Sequence, residues 1–158
     1  MKSIIAAVLV LFSSFSFAAS YDMKTGDDLA GDKCAPGDLL YYGVTEKGTK
    51  DVIICQQGDT VTYAFGNIMK NWSGKDLVLD VKASTVINSI TENDLVSKNI
   101  LIIRNASNAY AITHSFDLHS GVEVNLLEVY NRDGSKKLAT IKLDNEFIAD
   151  HIRDNFVK

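Results

Sequence analysis

The chain has 158 residues, of which 16 are Lys or Arg and 20 are Asp or Glu, so its formal net charge at pH 7 is −4. This length is enough for one domain with a sizeable hydrophobic core. The mildly acidic balance argues against a nucleic-acid partner, because binding phosphates requires a basic face.

The first 19 residues are organised like a secretory signal peptide. Lys2 supplies a positive charge, residues 4–11 form a short apolar run, and the small pair Ala18-Ala19 stands at its exit. The run is too short and too soon interrupted by serines to cross a bilayer about 30 Å thick. The alternative is a buried N-terminal helix. We expect cleavage after Ala18 or Ala19, export to a bacterial periplasm, and a single β-rich domain over residues 20–158.

Two cysteines remain in the exported part, Cys34 and Cys55. An even number of cysteines in an oxidising compartment predicts one disulfide. Closing a loop of about 22 residues should stabilise the fold by roughly 3 kcal/mol. The alternative is two free buried thiols. A redox pair is disfavoured because the spacing is not Cys-x-x-Cys, and a zinc site would need more ligands nearby.

Residues 20–38 are rich in Gly, Asp and Lys, and we expect this segment to be irregular and anchored at Cys34. From there on, short β-branched and aromatic runs alternate with polar turns, as in antiparallel hairpins. The predicted strands cover residues 39–44, 51–55, 60–66, 77–81, 99–104, 109–116, 122–130 and 136–143. The clearest hairpin surrounds residues 131–135, because Asp133-Gly134 readily supplies the positive φ of a tight turn. Residues 83–98 are ambiguous, and Thr91 could cap a short helical turn.

The C-terminal end has a helical period. Ile148, Ile152 and Phe156 recur at i, i+4 and i+8, and Asp144 or Asn145 could cap a helix of about three turns. Such a helix would lie on the sheet or across one open end. The predicted fold is therefore mainly β, an antiparallel β-sandwich or partly open barrel of about 7–8 strands with one C-terminal α-helix.

Aromatic residues in strands and loops offer candidate contact points for a partner. Tyr41 and Tyr42 are adjacent, so one of them should face outward unless both faces of the sheet are covered. Trp72, the single tryptophan, lies in a polar loop. It could anchor a protein interface, or it could fold back over a barrel end.

The densest polar cluster runs from His114 to His119. On one extended strand Ser115, Asp117 and His119 share a face, and His114 points the other way. An Asp-x-His pair can bind a divalent metal, and Ser with His and Asp suggests acyl transfer. The alternative, a solvated strand end, is favoured because side chains on one strand point in parallel and do not converge.

Two further polar patterns occur in the sequence. Asp27, Asp28 and Asp32 are spaced like part of a calcium loop, but the full ligand set with its terminal glutamate is absent. His151 is expected to face solvent on the C-terminal helix. No catalytic constellation stands out, so we expect a protein that is not an enzyme and has neither a metal nor a cofactor.

The segment from Cys55 to Tyr63 resembles the early strand pair of the periplasmic C-type lysozyme inhibitors, in which a Cys-x-x-Gly turn leads into a strand. Residues 106–110 are similar to that family's Ser-Gly-x-x-Tyr loop, whose serine and tyrosine enter the lysozyme active site. Asn108 stands where the family has glycine, and the Lys-Gly pair of the family's second loop has no clear counterpart. The resemblance implies a partner-binding role for Ser107 and Tyr110.

The chain has two looser resemblances to exported proteins. Cys55 followed by Tyr63-Ala64-Phe65-Gly66 resembles a pattern of small exported Gram-negative proteins without a settled role. Periplasmic immunity proteins that neutralise type VI secretion effectors share the small size and the signal peptide. We therefore predict an exported inhibitor that inserts a loop into the cleft of a cell-wall hydrolase, using Ser107, Asn108 and Tyr110, with Trp72 as an anchor. The alternatives are an envelope-assembly protein that acts by strand addition and a metal-dependent enzyme using Asp117 and His119.

Overall fold

A computed structural model describes residues 25–158. Nine strands in this part of the chain form one antiparallel sheet. The strands are β1 (Asp38–Thr45), β2 (Lys50–Gln57), β3 (Thr60–Asn67), β4 (Leu77–Lys82), β5 (Ile87–Glu92), β6 (Val96–Arg104), β7 (Asn108–Asp117), β8 (Glu123–Asn131) and β9 (Lys137–Asp150). Their order in the sheet is β4-β3-β2-β1-β9-β8-β7-β6-β5, and the sheet curls into a half-barrel. The predicted mainly β, partly open barrel is confirmed. The signal-peptide prediction lies outside the described residues.

The long strand β9 joins the two halves of the sheet. Its first half pairs with β8, from Tyr130–Lys137 to Leu126–Lys142, and its second half pairs with β1, from Thr45–Leu143 to Tyr41–Asp150. The curl brings distant strands face to face across the interior, and the core fills the concave side of the half-barrel.

A bulge in β1 lets two consecutive large residues enter this core. Leu39 pairs with Cys55 and Tyr41 pairs with Ile54, so Leu40 is an extra residue on β1. Both Leu40 and Tyr41 are fully buried in the interior cluster. Because a bulge shifts the alternation of side chains, the chain can bury both on one side.

The convex side of β1–β3 is covered as well, which explains why Tyr42 is also buried. Tyr42 belongs to a second cluster that includes Ala30 of helix α1 (Gly26–Ala30) and the half-buried Trp72. The Cys34–Cys55 disulfide, with 5.4 Å between Cα atoms, fixes this layer to β2. The N-terminal segment is thus more regular than predicted, since Thr25 and Asp28 form a capping box that starts α1.

A buried ion cluster holds the same layer. The Asp51 carboxylate on β2 is fully buried, binds the ammonium of Lys75, and lies 3.4 Å from Nζ of Lys33. Lys33 also sits 4.8 Å from the centre of the Tyr42 ring. Burial, with the Asp51 charge beside it, raises the pKa of Tyr42 above its ordinary value.

A C-terminal helix is present, as predicted, but its predicted length of about three turns is wrong. Ile148 lies on β9 opposite Gly43, and only Ile152–Asn155 is helical, as helix α2. Asp150 starts this single turn by accepting the main-chain N–H of Ile152 at 3.1 Å. Ile148, Ile152 and Phe156 all pack against the interior cluster, so a strand followed by one turn produces the same spacing of apolar residues as a helix.

Residues 83–98 consist of a short 3-10 turn (Ala83–Thr85), strand β5 and the start of β6, and Thr91 caps no helix. Thr91 lies on β5 and pairs with Lys98 on β6. The turn between them is formed by Asn93, whose Oδ1 accepts the N–H groups of Leu95 and Val96, both at 2.9 Å. β4 and β5 therefore form the two edges of the sheet. Within residues 25–158, no helix is long and apolar enough to span a bilayer.

Candidate functional site

The predicted partner-binding loop is the tip of the β6–β7 hairpin, and a single asparagine organises it. Asn105 Oδ1 accepts the main-chain N–H groups of Ser107 at 2.8 Å and Asn108 at 2.7 Å. The main chain closes the turn with an Asn105 N–H to Asn108 carbonyl hydrogen bond of 3.0 Å. Ala106 and Ser107 are exposed. The tip is therefore both accessible and internally hydrogen-bonded, as in an Asx turn.

Tyr110 lies below this tip and not on it. Its side chain is 6 % exposed, and its ring stacks on that of Tyr63 with 5.1 Å between centroids. Its hydroxyl lies 3.4 Å from Nδ2 of Asn108 and 3.5 Å from Nδ2 of Asn105, and it accepts from both. In this position, Tyr110 supports the loop from the core and leaves the contacts at the tip to the exposed Ser107 and the half-buried Asn108.

The β8–β9 hairpin forms a second tip next to the first, as the direct pairing of Asn108 with Asn131 requires. Asn131 organises it, accepting the N–H of Lys136 at 2.9 Å and donating to Oγ of Ser135 at 3.1 Å. Hydrogen bonds from the backbone and hydroxyl of Ser135 lower the pKa of Asp133. A shallow recess of about 480 Å³ lies between the tips, lined by Ser107, Asn131, Arg132 and Asp133.

Trp72 stands apart from these tips. Its indole N–H donates to the Lys33 carbonyl at 3.0 Å, and the ring packs on the convex cluster. It lines a recess of about 290 Å³ with Lys33, Cys34 and Asp80, and that recess contains none of Ser107, Asn108 and Tyr110. The structure therefore does not join the four predicted contact residues into one surface.

The Asp117–His119 segment is a turn. β7 ends at Asp117, whose Oδ1 accepts the main-chain N–H groups of His119 at 2.9 Å and Ser120 at 2.8 Å. These bonds, led by that from Ser120, lower the pKa of Asp117. Among residues 25–158, no group of three or more His, Cys, Asp or Glu is placed to hold a metal ion.

Two of the three spaced aspartates of the N-terminal segment have separate structural partners. Asp28 belongs to the capping box of α1. Asp27 Oδ1 lies 2.6 Å from Nε2 of His151, which precedes α2. His151 is therefore not on a long solvent-facing helix as predicted, and its contact links the N-terminal and C-terminal segments.

His114 faces the interior, as the alternation along β7 predicts, and it enters a polar network that sequence reasoning missed. Its Nδ1 lies 2.9 Å from Oδ1 of Asn125, a residue that is 2 % exposed. Asn125 Nδ2 donates to Glu123 at 2.8 Å and Asn145 at 3.0 Å, and the Tyr41 hydroxyl donates to Asn125 at 3.4 Å. The network joins β1, β7, β8 and β9 at one end of the half-barrel.

Burial and the neighbouring carboxylates disfavour ionisation of the Tyr41 phenol in this network. Burial, together with the carboxylates of Asp150 and Glu123, raises the pKa of Tyr41 well above its ordinary value. His114 meets a carboxamide and, at 3.8 Å, the Glu123 carboxylate. The inward alternation of Glu123, Asn125 and Leu127 along β8 was the available signal, but a sequence alone does not show which strands it meets.

No family model, no curated protein and no solved structure matches this chain. The resemblance of residues 55–63 and 106–110 to the lysozyme inhibitors therefore stays a prediction from those residues.

Proposed function

We propose that this chain is an exported protein-binding module that inhibits a cell-wall hydrolase, a lysozyme or a peptidoglycan-degrading effector, by inserting the β6–β7 tip into its cleft. The observation that carries the proposal is the tip organised by Asn105. Ala106 and Ser107 are exposed there, while the main-chain N–H groups of Ser107 and Asn108 are already hydrogen-bonded to the Asn105 side chain. A preformed loop loses little ordering entropy when it binds, which favours affinity.

In this proposal the roles of the four predicted residues differ. Ser107 and Asn108 contact the enzyme, and Tyr110 holds the loop from below through its hydroxyl and its stacked ring. The neighbouring Asn131–Lys136 tip flanks the inserted loop, because the two share a recess. Trp72 lies on the convex layer and is not required for insertion.

The test is a peptidoglycan-hydrolysis assay with added wild-type chain and two tryptophan variants. Ser107→Trp places a bulky ring on the proposed tip, whereas Ser120→Trp makes the same change at an exposed turn at the other end of β7. We expect wild type and Ser120→Trp to inhibit equally and Ser107→Trp to lose inhibition by at least about tenfold. Equal inhibition by all three would remove the tip from the mechanism.

A second candidate function, strand addition to an envelope partner, is favoured by the edge strand β5. Ile87 and Ile90 are 40 % and 44 % exposed, and the only charge on β5 is Glu92 at its end. Edge strands usually carry lysine, proline or a cover that prevents pairing. An open edge without charge over residues 87–91 is a surface to which a partner can add an extended segment.

This second function is separated from the first by lysine substitutions on the two sheet edges. A photo-crosslinking residue placed at position 89 of β5 should form crosslinks to the envelope partner in intact cells. Ile90→Lys should abolish these crosslinks, because a charge on the edge opposes strand pairing. Val78→Lys is the matched control, since Val78 is 41 % exposed on the opposite edge β4. Crosslinks that survive Ile90→Lys would exclude strand addition at β5.

A further inference from the structure

A cleft of about 650 Å³ opens where β9 runs beyond the end of β1. The last pair between these strands is Thr45 with Leu143, followed by one hydrogen bond from the Glu46 N–H to the Lys142 carbonyl at 3.1 Å. Beyond that bond, β9 continues alongside β8, while the chain turns back from β1 into β2. The cleft is the resulting gap, and its volume falls within the roughly 300–1,000 Å³ of small-molecule sites.

The floor of the cleft is apolar. Phe65 of β3 and Ile141 of β9 line it, and both are half-buried residues that pack against the interior cluster. Apolar surface at the mouth of the half-barrel is therefore continuous with the core. Covering such a concave apolar surface is favourable, because it removes apolar area from water, and barrel mouths are frequent positions for ligand sites.

The rim of the cleft is basic, although the chain as a whole is acidic. Lys47, Lys50 and Lys142 line it, and Glu46 is the single carboxylate among the lining residues. Lys50 is held in place by Asp76 at 2.7 Å and lies 5.4 Å from the centre of the Phe65 ring. Within the described chain, neither Lys47 nor Lys142 has an ion-pair partner.

We propose that this cleft binds a single-chain amphiphile, with its acyl chain on Phe65 and Ile141 and an anionic carboxylate head at Lys47 and Lys142. Lysine suits both parts of such a ligand, because its methylene stem covers apolar surface while its ammonium stays at the water boundary. Charge complementarity selects the anionic head, and the apolar floor selects the chain. The site shares no residue with the β6–β7 tip or with β5, so it is independent of the proposed function.

The test is calorimetric titration of the purified exported chain with palmitate below its micelle concentration. The binding variant is Lys47→Glu/Lys142→Glu, and the matched control is Lys82→Glu/Lys136→Glu, which makes the same charge change at two exposed lysines that do not line the cleft. We expect saturable one-to-one binding by wild type and control, and binding about tenfold or more weaker in the cleft variant. The methyl ester of palmitate, which lacks the charge, should bind wild type and the cleft variant equally.

A second change tests the apolar part of the site. Thr140 is exposed and lines the cleft, so Thr140→Trp should fill the gap and reduce palmitate binding at least about tenfold. If Thr140→Trp does not fold, as judged by the loss of a cooperative unfolding transition, Thr49→Trp fills the cleft from the β1–β2 side. Absence of saturable palmitate binding, equal weakening in both charge-reversal variants, or full binding by a folded tryptophan variant would each overturn the proposal.

Discussion

The ring of Tyr63 on β3 stacks on the ring of Tyr110 on β7, with 5.1 Å between centroids and 29° between planes. Four strands separate β3 from β7 in the sheet order, so this contact exists only because the sheet curls. The same Tyr110 carries the hydroxyl that accepts from Asn105 and Asn108 at the β6–β7 tip. One aromatic pair therefore links closure of the core to the shape of the proposed binding loop.

We expect Tyr63→Ala and Tyr110→Ala each to lower the free energy of unfolding by about 3–5 kcal/mol, because each leaves a large cavity. Tyr110→Phe keeps the ring and should cost about 0.5–1.5 kcal/mol, the net worth of a typical hydrogen bond. Urea denaturation of the single and double alanine variants gives the coupling between the rings, expected at about 0.5–1.5 kcal/mol. Strict additivity of the two alanine variants would mean that the stacking does not contribute.

The disulfide should stabilise the fold through its loop. Cys34 and Cys55 are 21 residues apart, so reduction should cost roughly 3 kcal/mol. It should also loosen the layer in which Trp72 donates to Lys33, and the tryptophan emission should shift to longer wavelength before global unfolding. Denaturation with and without reductant, followed by Trp72 fluorescence, measures both effects. An unchanged midpoint would show that the packing alone holds the layer.

The buried Asp51–Lys75 pair and the exposed Lys50–Asp76 pair allow a matched comparison. Lys75 is 3 % and Asp51 0 % exposed, whereas Lys50 and Asp76 are 46 % and 52 % exposed. Lys75→Met leaves a buried carboxylate with only the more distant Lys33, so we expect a loss of about 3–5 kcal/mol. Lys50→Met should cost at most about 1 kcal/mol. Thermal or urea unfolding of both variants decides the point, and equal losses would contradict the burial argument.

The buried phenols predict a loss of stability at high pH. Burial raises the pKa of Tyr41 and of Tyr63 above the ordinary 10.0. The unfolded chain therefore releases these protons first, so the stabilisation is complete below about pH 10 and is lost as the pH rises toward the folded-state pKa. Each phenol should contribute about 1.4 kcal/mol per pH unit in that window. Tyr63→Phe should reduce the slope relative to wild type, and an unchanged slope would assign the loss to other groups.

Local signals predicted much of the fold. The alternation of apolar and polar residues, together with the turn residues, located β1–β3 and the β8–β9 hairpin. The even number of cysteines predicted the Cys34–Cys55 disulfide that the structure contains. These features depend on neighbours in sequence. The C-terminal helix is present but shorter than predicted. Ile148, Ile152 and Phe156 share one buried side without sharing one helix, and a spacing of four residues does not distinguish a long helix from a strand followed by one turn.

The candidate site was less predictable, because it depends on contacts between distant strands. The sequence pointed to Ser107 and Tyr110 by resemblance, but the burial of Tyr110 follows from Tyr63, 47 positions earlier. The Asn125 network likewise combines residues from four strands. The cleft at Phe65 and Ile141 arises where β9 extends beyond the end of β1. Hydropathy does not predict strand ends to within one or two residues, which is the precision that predicting this cleft would require.

The most direct measurement of the inhibitor proposal is calorimetry of the purified chain, residues 20–158, against a panel of lysozymes and peptidoglycan amidases. We expect one-to-one binding with a nanomolar Kd to at least one of these enzymes, retained by Ser120→Trp and weakened at least about tenfold by Ser107→Trp. No binding to any of the hydrolases, or a complex that Ser107→Trp leaves intact, would contradict an inhibitor that works through the β6–β7 tip.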